Sequence, residues 1–306
     1  MSCQWNNISE PVRAAAQEAG AFRTGFCRAE AVDDEAAMLY SRRAADGAFA
    51  DMSYLCRYDD VRRDPRLLLE GAQTIICCAF SYYQPKPHPY LADYALGDDY
   101  HDVLRRRLSE FCERIKSIAG GETRICIDTA PLRERYWAAR AGLGVIGLNN
   151  QLIIPGAGSR FFLAEVLWTV ALPADRPLQP GECLRCGACV RACPGKALDG
   201  KGSLDCSRCQ SYLSIEYRGD FSEHTPPFTG VYGCDVCQRV CPMNANATSP
   251  EALPEFAQRA GYADLTPDDI IAMEQADFSR LFKGSAIKRA KLAGLQRNAR
   301  HLKEEK

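Results

Sequence analysis

The feature that most constrains this chain is a run of four cysteines, Cys183, Cys186, Cys189 and Cys193, spaced C-x2-C-x2-C-x3-C and closed by Pro194. Three thiolates on so tight a loop can cap three irons of a [4Fe–4S] cubane, while the fourth faces away and serves a second cluster. Pro194 redirects the chain and removes a backbone donor. Structural zinc usually takes its four ligands as two separated pairs, a different pattern. One run leaves each cluster incomplete, so a second set is required. Cys234, Cys237 and Cys241, followed by Pro242, supply it. If the cysteine before proline crosses over in each set, one cluster takes Cys183, Cys186, Cys189 and Cys241. The other takes Cys193, Cys234 and Cys237 and needs one more ligand. Cys206 and Cys209 are both candidates, and spacing does not choose between them.

The chain holds sixteen cysteines in 306 residues, a number that implies bound metal in a reducing compartment. A disulfide-rich secreted protein is the alternative, but the N-terminus has no basic segment followed by an apolar run. No stretch reaches the roughly 18 apolar residues of a membrane span. The expected location is therefore the cytoplasm. The cysteines outside the two sets, Cys3, Cys27, Cys56, Cys77, Cys78, Cys112 and Cys126, read as small buried hydrophobes.

Three regions follow from patterning. Residues 1–175 read as a mixed α/β domain. QTIICCAFSYY (73–83) is a compact apolar run and reads as a buried strand. Asp98 and Asp99 precede a helical repeat of Leu104, Leu108, Phe111 and Ile115 that Gly120-Gly121 stops. ETRICIDTA (122–130) reads as another strand, and Pro131 starts a helix that runs to Gly142. GLGVIGLNN (142–150) is a loop, and LIIPGAGSRFFLAEVLWTVAL suggests two strands around a Pro/Gly turn. Residues 176–248, rich in Cys, Gly and Pro, leave little room for a conventional core, so metal is expected to organise them. Residues 249–306 read as mostly helical. The net charge of −1 does not mark the whole molecule as a polyanion binder, yet 279–306 holds nine Lys/Arg against two Glu.

A bare ferredoxin needs only the middle region, so the clusters are expected to feed electrons into a site in the first domain. Several segments resemble the epoxyqueuosine reductase family: MSYLCRYDDVRRDPRLLLEGAQTII (52–76), DDYHDVLRRRL (98–108), IDTAPLRERYWAARAGLGVIGLNNQLI (127–153), FFLAEVLWT (161–169), CQSYLSIEYRG (209–219) and IKRAKLAGLQRNA (287–299). Together with the cysteine sets they span most of the chain. The resemblance implies an α+β fold: a cobalamin-binding catalytic domain at 1–175, a ferredoxin-like double [4Fe–4S] domain at 176–248, and a short helical segment at 249–306. It implies reduction of epoxyqueuosine to queuosine at the tRNA wobble position, with electrons from an external low-potential donor. It also selects Cys209 as the missing ligand. Two departures stand out: the family usually has Lys where this chain has Leu148, and many members carry a C-terminal helical-repeat domain, so a tRNA footprint that is smaller or differently arranged is expected here.

The same resemblance implies the site residues. Asp128, in the D-x-A-P motif, is the expected proton donor, which near neutral pH requires a desolvated carboxyl. A helix-capping role is the plain alternative. Arg57 is expected to pair with a corrin amide or the nucleotide phosphate, and Tyr100, Asn149, Ser211 and Asp235 to hydrogen-bond the corrin amides. His101 reads equally as a structural histidine and is given no cobalt-ligand role. Lys283, Lys288, Arg289, Lys291, Arg297 and Arg300 are expected to meet tRNA phosphates, with a solvated helix face as the alternative. The rival functions are a cobalamin/iron–sulfur reductase of a small molecule, such as an organohalide, and a non-catalytic electron-transfer ferredoxin.

Overall fold

The computed structural model describes residues 2–179, 181 and 183–304, and for residues 2–7 the backbone alone, so the Cys3 side chain lies outside the described residues. Its centre is a four-stranded sheet of β1 (Arg23–Arg28), β2 (Thr74–Ser81), β3 (Thr123–Cys126) and β6 (Phe161–Trp168), in the order β1-β2-β6-β3 with every pair antiparallel. Side chains alternate across a strand. Ile76, Cys78 and Phe80 therefore meet the helices Ser2–Glu18 and Tyr100–Ala119 on one face. Ile75, Cys77 and Ala79 meet the helix Glu134–Arg140 on the other. Both faces are covered, which is why β2 is buried throughout and reads as an unbroken apolar run.

The helix Tyr100–Ala119 begins where Asp99 accepts the His101 amide at 3.0 Å and ends at Gly120, whose φ of +71° favours glycine. Other boundaries differ from expectation. The strand predicted over 122–130 stops at Cys126, and the helix predicted from Pro131 starts at Glu134. Between them the chain turns, with Asp128 at φ +44°. The cause is local: Glu134 accepts the Asp128 amide at 2.5 Å, folding residues 128–133 back over the start of the helix. β5 (Leu152–Ile153) does not pair with β6. It forms a short ladder with β4 (Val145–Ile146), inside the segment predicted to be loop.

A second core lies beyond the sheet. Tyr212, Leu213, Val231 and Tyr232 of the cysteine-rich region pack with Ile270, Phe278, Phe282, Leu295, Ala299 and Leu302 of the C-terminal helices and with Leu91 and Leu96. The cysteine-rich region thus has more apolar packing than its composition suggested, and its core continues across position 248. Among the described residues no helix is long and apolar enough to cross a membrane.

Candidate active site and cysteine centres

The two cysteine sets interleave in space. Cys183, Cys186, Cys189 and Cys241 line one space, together with Leu148, Asn149, Ile153 and Leu184. The short helices Ala188–Ala192 and Val236–Arg239 bring the two distant segments together. The remaining thiols form a second group: Cys209 lies in electrostatic reach of Cys193, Cys234 of both, and Cys237 of all three. Burial pushes the Cys234 thiol up to about 12 and Cys237 well above the ordinary thiol range. Such thiols lose their protons when a metal takes them as thiolates. Cys206 is different. It is buried beside Tyr212 in the second core, and besides Cys209 its charged neighbours are Asp205 and the cations Arg43 and Arg135. The donor chemistry of both groups, four sulfurs each, fits [4Fe–4S] clusters.

A cavity of about 940 Å³ opens beside the second group. Ligand pockets commonly run from about 300 to 1,000 Å³, so this one stands at the upper end of that range, the size a large cofactor needs. Its walls come from every region of the chain: Tyr54 and Arg62, Asp99, Tyr100 and His101 at the start of their helix, Asp128, then Cys206, Cys209, Ser211, Glu216, Tyr232, Lys288 and Arg289. Aromatic walls interspersed with hydroxyl and guanidinium donors suit a flat corrin rimmed by amides. Cys209 is the bridge, because it belongs both to the second cysteine group and to this wall.

Asp128 projects into the cavity from its left-handed turn, with 55% of its side chain exposed. The desolvation expected of a proton donor is therefore not supplied by the protein. Asp128 instead faces His101, whose Nε2 lies 3.1 Å from Oδ2, while Nδ1 of the same ring lies 2.8 Å from Asp99 Oδ1. The two carboxylates outweigh burial and raise His101 to about 9. Tyr100 stacks on His101 at 4.1 Å and on Phe162 at 4.5 Å, fixing the ring in place. Behind the turn, burial and the nearby Asp128 push Glu134 up to about 8. The capping alternative for Asp128 fails, because the helix that follows starts six residues later.

Of the six residues expected around the corrin, Tyr100, Asp128 and Ser211 line the cavity and three do not. Arg57 is exposed on a neighbouring turn, where its carbonyl accepts from Arg62 Nε at 3.2 Å. Asn149 lies between the cysteine groups, lining the first and standing 3.5 Å from the Cys237 carbonyl. Asp235 is buried, its carboxylate taken by the Asp93 amide at 2.7 Å and Arg239 at 3.5 Å. Leu148 is buried beside the first cysteine group. In the basic segment Lys288 and Arg289 reach the cavity wall, Arg289 paired with Glu216 at 2.9 Å. Lys283, Lys291 and Arg300 are exposed. Arg297 is committed to the fold: its guanidinium lies 4.1 Å over Phe221 and donates to the Leu213 and Gly219 carbonyls at 3.0 and 2.6 Å. Sequence reasoning missed Arg62, Tyr54, Glu216 and Tyr232 in the wall, because each sits in a segment whose neighbours gave the stronger signal.

Residues 62–129 match the family model for epoxyqueuosine reductase QueG, DUF1730, and residues 182–244 match the 4Fe-4S double cluster binding domain. An epoxyqueuosine reductase from Leadbetterella byssophila is 37% identical over 97% of this chain and 99% of its own length. Another from Gloeobacter violaceus is 37% identical over 94% of this chain and 93% of its own. Among solved structures, a crystal structure of epoxyqueuosine reductase with a tRNA-Tyr epoxyqueuosine-modified stem loop superposes with a TM-score of 0.86 at 27% identity, covering 97% of this chain and 81% of that one.

Proposed function

The chain belongs to the epoxyqueuosine reductase family of oxidoreductases, and we propose that it removes the epoxide oxygen of epoxyqueuosine in tRNA to leave queuosine. The reaction takes two electrons and two protons and releases water. The observation that carries this reading is the single cavity whose wall holds both Asp128 and Cys209. It joins a proton donor and a cluster ligand in one space.

The roles follow from position. Cys183, Cys186, Cys189 and Cys241 hold one cluster, and Cys193, Cys209, Cys234 and Cys237 hold the cluster next to the cavity. Tyr100 and Ser211, with Tyr54 and Arg62, line the space for cobalamin. Cobalamin supplies, when bound and reduced, the reducing power for C–O cleavage, and an external low-potential donor replenishes it through the clusters. Asp128 protonates the leaving oxygen from within hydrogen-bond reach. Lys288 and Arg289, at the cavity wall, meet the tRNA backbone with Lys283, Lys291 and Arg300 on the exposed side. Their contribution would appear as a tRNA affinity that falls steeply with salt. A protein of this composition works in the reducing cytoplasm.

The test is anaerobic purification with cobalamin, assay of iron and corrin, and mass spectrometry of tRNA nucleosides after reaction. Wild-type protein converts epoxyqueuosine, and Asp128→Asn loses at least 100-fold in turnover with iron and corrin retained. Turnover of free halogenated compounds in place of the tRNA would favour the small-molecule reading. Failure to bind cobalamin at all would favour the electron carrier.

A further inference from the structure

Resting on the reading above, we propose that the acid of this site is the His101–Asp128 pair, with the proton held on the imidazole before turnover and passed through Asp128 to the leaving oxygen. With both carboxyls ionised, the geometry calls for a doubly protonated ring. Nδ1 faces Asp99 Oδ1 at 2.8 Å and Nε2 faces Asp128 Oδ2 at 3.1 Å. A neutral imidazole has one N–H and could satisfy only one of these acceptors, whereas an imidazolium satisfies both.

The pair answers a difficulty left by the exposure of Asp128. An open carboxyl lacks the desolvation that would favour its neutral form. An imidazolium between two carboxylates keeps its proton in nearly every molecule, and here that proton points at Asp128. The charged groups around the ring agree in sign. Asp99 caps its own helix, Asp128 comes from the turn after β3, and Glu134 comes from the helix behind that turn. Of the cations around the site, Arg259 is bound to Asp98 at 2.7 Å and Arg289 to Glu216 at 2.9 Å, and Arg62 and Lys288 share the cavity wall. Tyr100 packs against one ring face and, with Tyr232, contributes only neutral phenols, both pushed up by burial.

The step balances simply. As the leaving oxygen develops charge, the Nε2 proton moves to Asp128 Oδ2 and a carboxyl proton passes to that oxygen. The ring is left neutral, with Nδ1–H still on Asp99, and takes its next proton from water in the open cavity. The pair supplies one of the two protons that accompany the two electrons of the overall reduction. His101 acts through Asp128 and is a positioning residue that also holds the proton.

Two measurements on anaerobically isolated holoenzyme test this. With histidine labelled in the ring, NMR follows the His101 signal, assigned by its loss in His101→Gln among the chain's four histidines. Its midpoint is expected at about 9 and should fall by at least one pH unit in Asp128→Asn. In parallel, His101→Gln should keep its iron and corrin, lose at least tenfold in kcat at pH 7.5, and recover part of that loss as pH is lowered, because the alkaline limb of its profile moves to lower pH. A midpoint near the ordinary 6.5, or a His101→Gln profile with the same alkaline limb as wild type, overturns the pair. If Asp128→Asn itself turns over normally, the assignment of Asp128 fails instead, and the two failures are distinguishable.

Discussion

Cysteine does opposite work in the two halves of this molecule. In and around the sheet, Cys27, Cys77, Cys78, Cys112 and Cys126 are buried in apolar cores. Burial holds Cys78 and Cys126 at about 12, so they stay neutral thiols. In the cysteine-rich region seven of the eight proposed ligands are half-buried, Cys186 is exposed, and the local elements are helices of four to six residues. The sheet would keep its shape without its sulfurs. The loop of 183–193 has little else to hold it, while 234–241 is also tied by Asp235 to the Asp93 amide at 2.7 Å and by Gln238 to Tyr82 at 3.2 Å. Side-chain type is the same in both regions, and it is the packing around the sulfur that decides whether it serves as filler or as ligand.

The sharpest break in this comparison lies between two neighbours. Cys206 and Cys209 both line the cavity and touch the second core, but only Cys209 lies in electrostatic reach of Cys193, Cys234 and Cys237. Cys209→Ser should lose one cluster, leaving about four irons per chain of about eight, and turnover should fall at least 100-fold. Cys206→Ser should keep the iron and most of the activity. Iron analysis and tRNA nucleoside mass spectrometry read both, and the reverse outcome would make Cys206 the ligand.

Removing iron altogether should separate the regions physically. Metal binding to such a segment is part of its folding free energy. After chelation, amide exchange should accelerate at least tenfold in 183–193 and 234–241, while β2 and β6 remain protected by the layers on both faces. Uniform acceleration across the chain would mean that the clusters hold the whole molecule together.

How much of this was legible beforehand follows from the range over which each signal acts. The cysteine spacing is local, and the four it groups, Cys183, Cys186, Cys189 and Cys241, line one space. The buried strand at 74–81 and the helix after Asp99 were equally plain, since each carries its own period and cap. Arg57 and Asp235 sit in matching motifs yet miss the cavity, because a motif records proximity in sequence and a wall is assembled from segments far apart. The turn at Asp128 reads in the sequence as the end of a strand before a Pro-started helix, whereas the strand stops at Cys126 and the helix starts at Glu134. The deciding hydrogen bond comes from Glu134, six residues on, and no local rule weighs it. The His101 pair was hidden for the same reason: its two carboxylates, Asp99 and Asp128, lie on different elements.

The sheet half also holds one group that does not fit inert filler. Glu165 is fully buried, both its carboxyl oxygens lack a hydrogen-bond partner, and it stands opposite Cys77 and Cys126 in the register. Burial, with Glu134 and Cys27 nearby, raises it well above 4.5. The folded state therefore keeps a proton that the unfolded chain releases. Its contribution to stability is full below pH 4.5 and is lost as pH rises toward the folded value. Glu165→Gln does not titrate. Its stability relative to wild type should grow by up to about 1.4 kcal/mol per pH unit above 4.5, read from urea melts between pH 5 and 7. Parallel profiles for the two proteins would show that Glu165 is ionised in the fold.

The smallest effect is expected at Cys78, and it bears most directly on the contrast between filler and ligand. This side chain is fully buried on the face of β2 that meets the helices Ser2–Glu18 and Tyr100–Ala119, with Thr24 Oγ1 at 3.9 Å as its polar neighbour. Replacing it by alanine removes one buried atom and leaves a small void, at a cost of about 1–2 kcal/mol. A melt should register that loss, while iron content and turnover stay at the wild-type level. The thiol itself should resist alkylation until the protein unfolds, because reactivity needs thiolate and access, and burial denies both. Loss of iron in Cys78→Ala would tie the sheet to the clusters. The sulfurs of the two halves would then belong to one system, and packing alone would not tell filler from ligand.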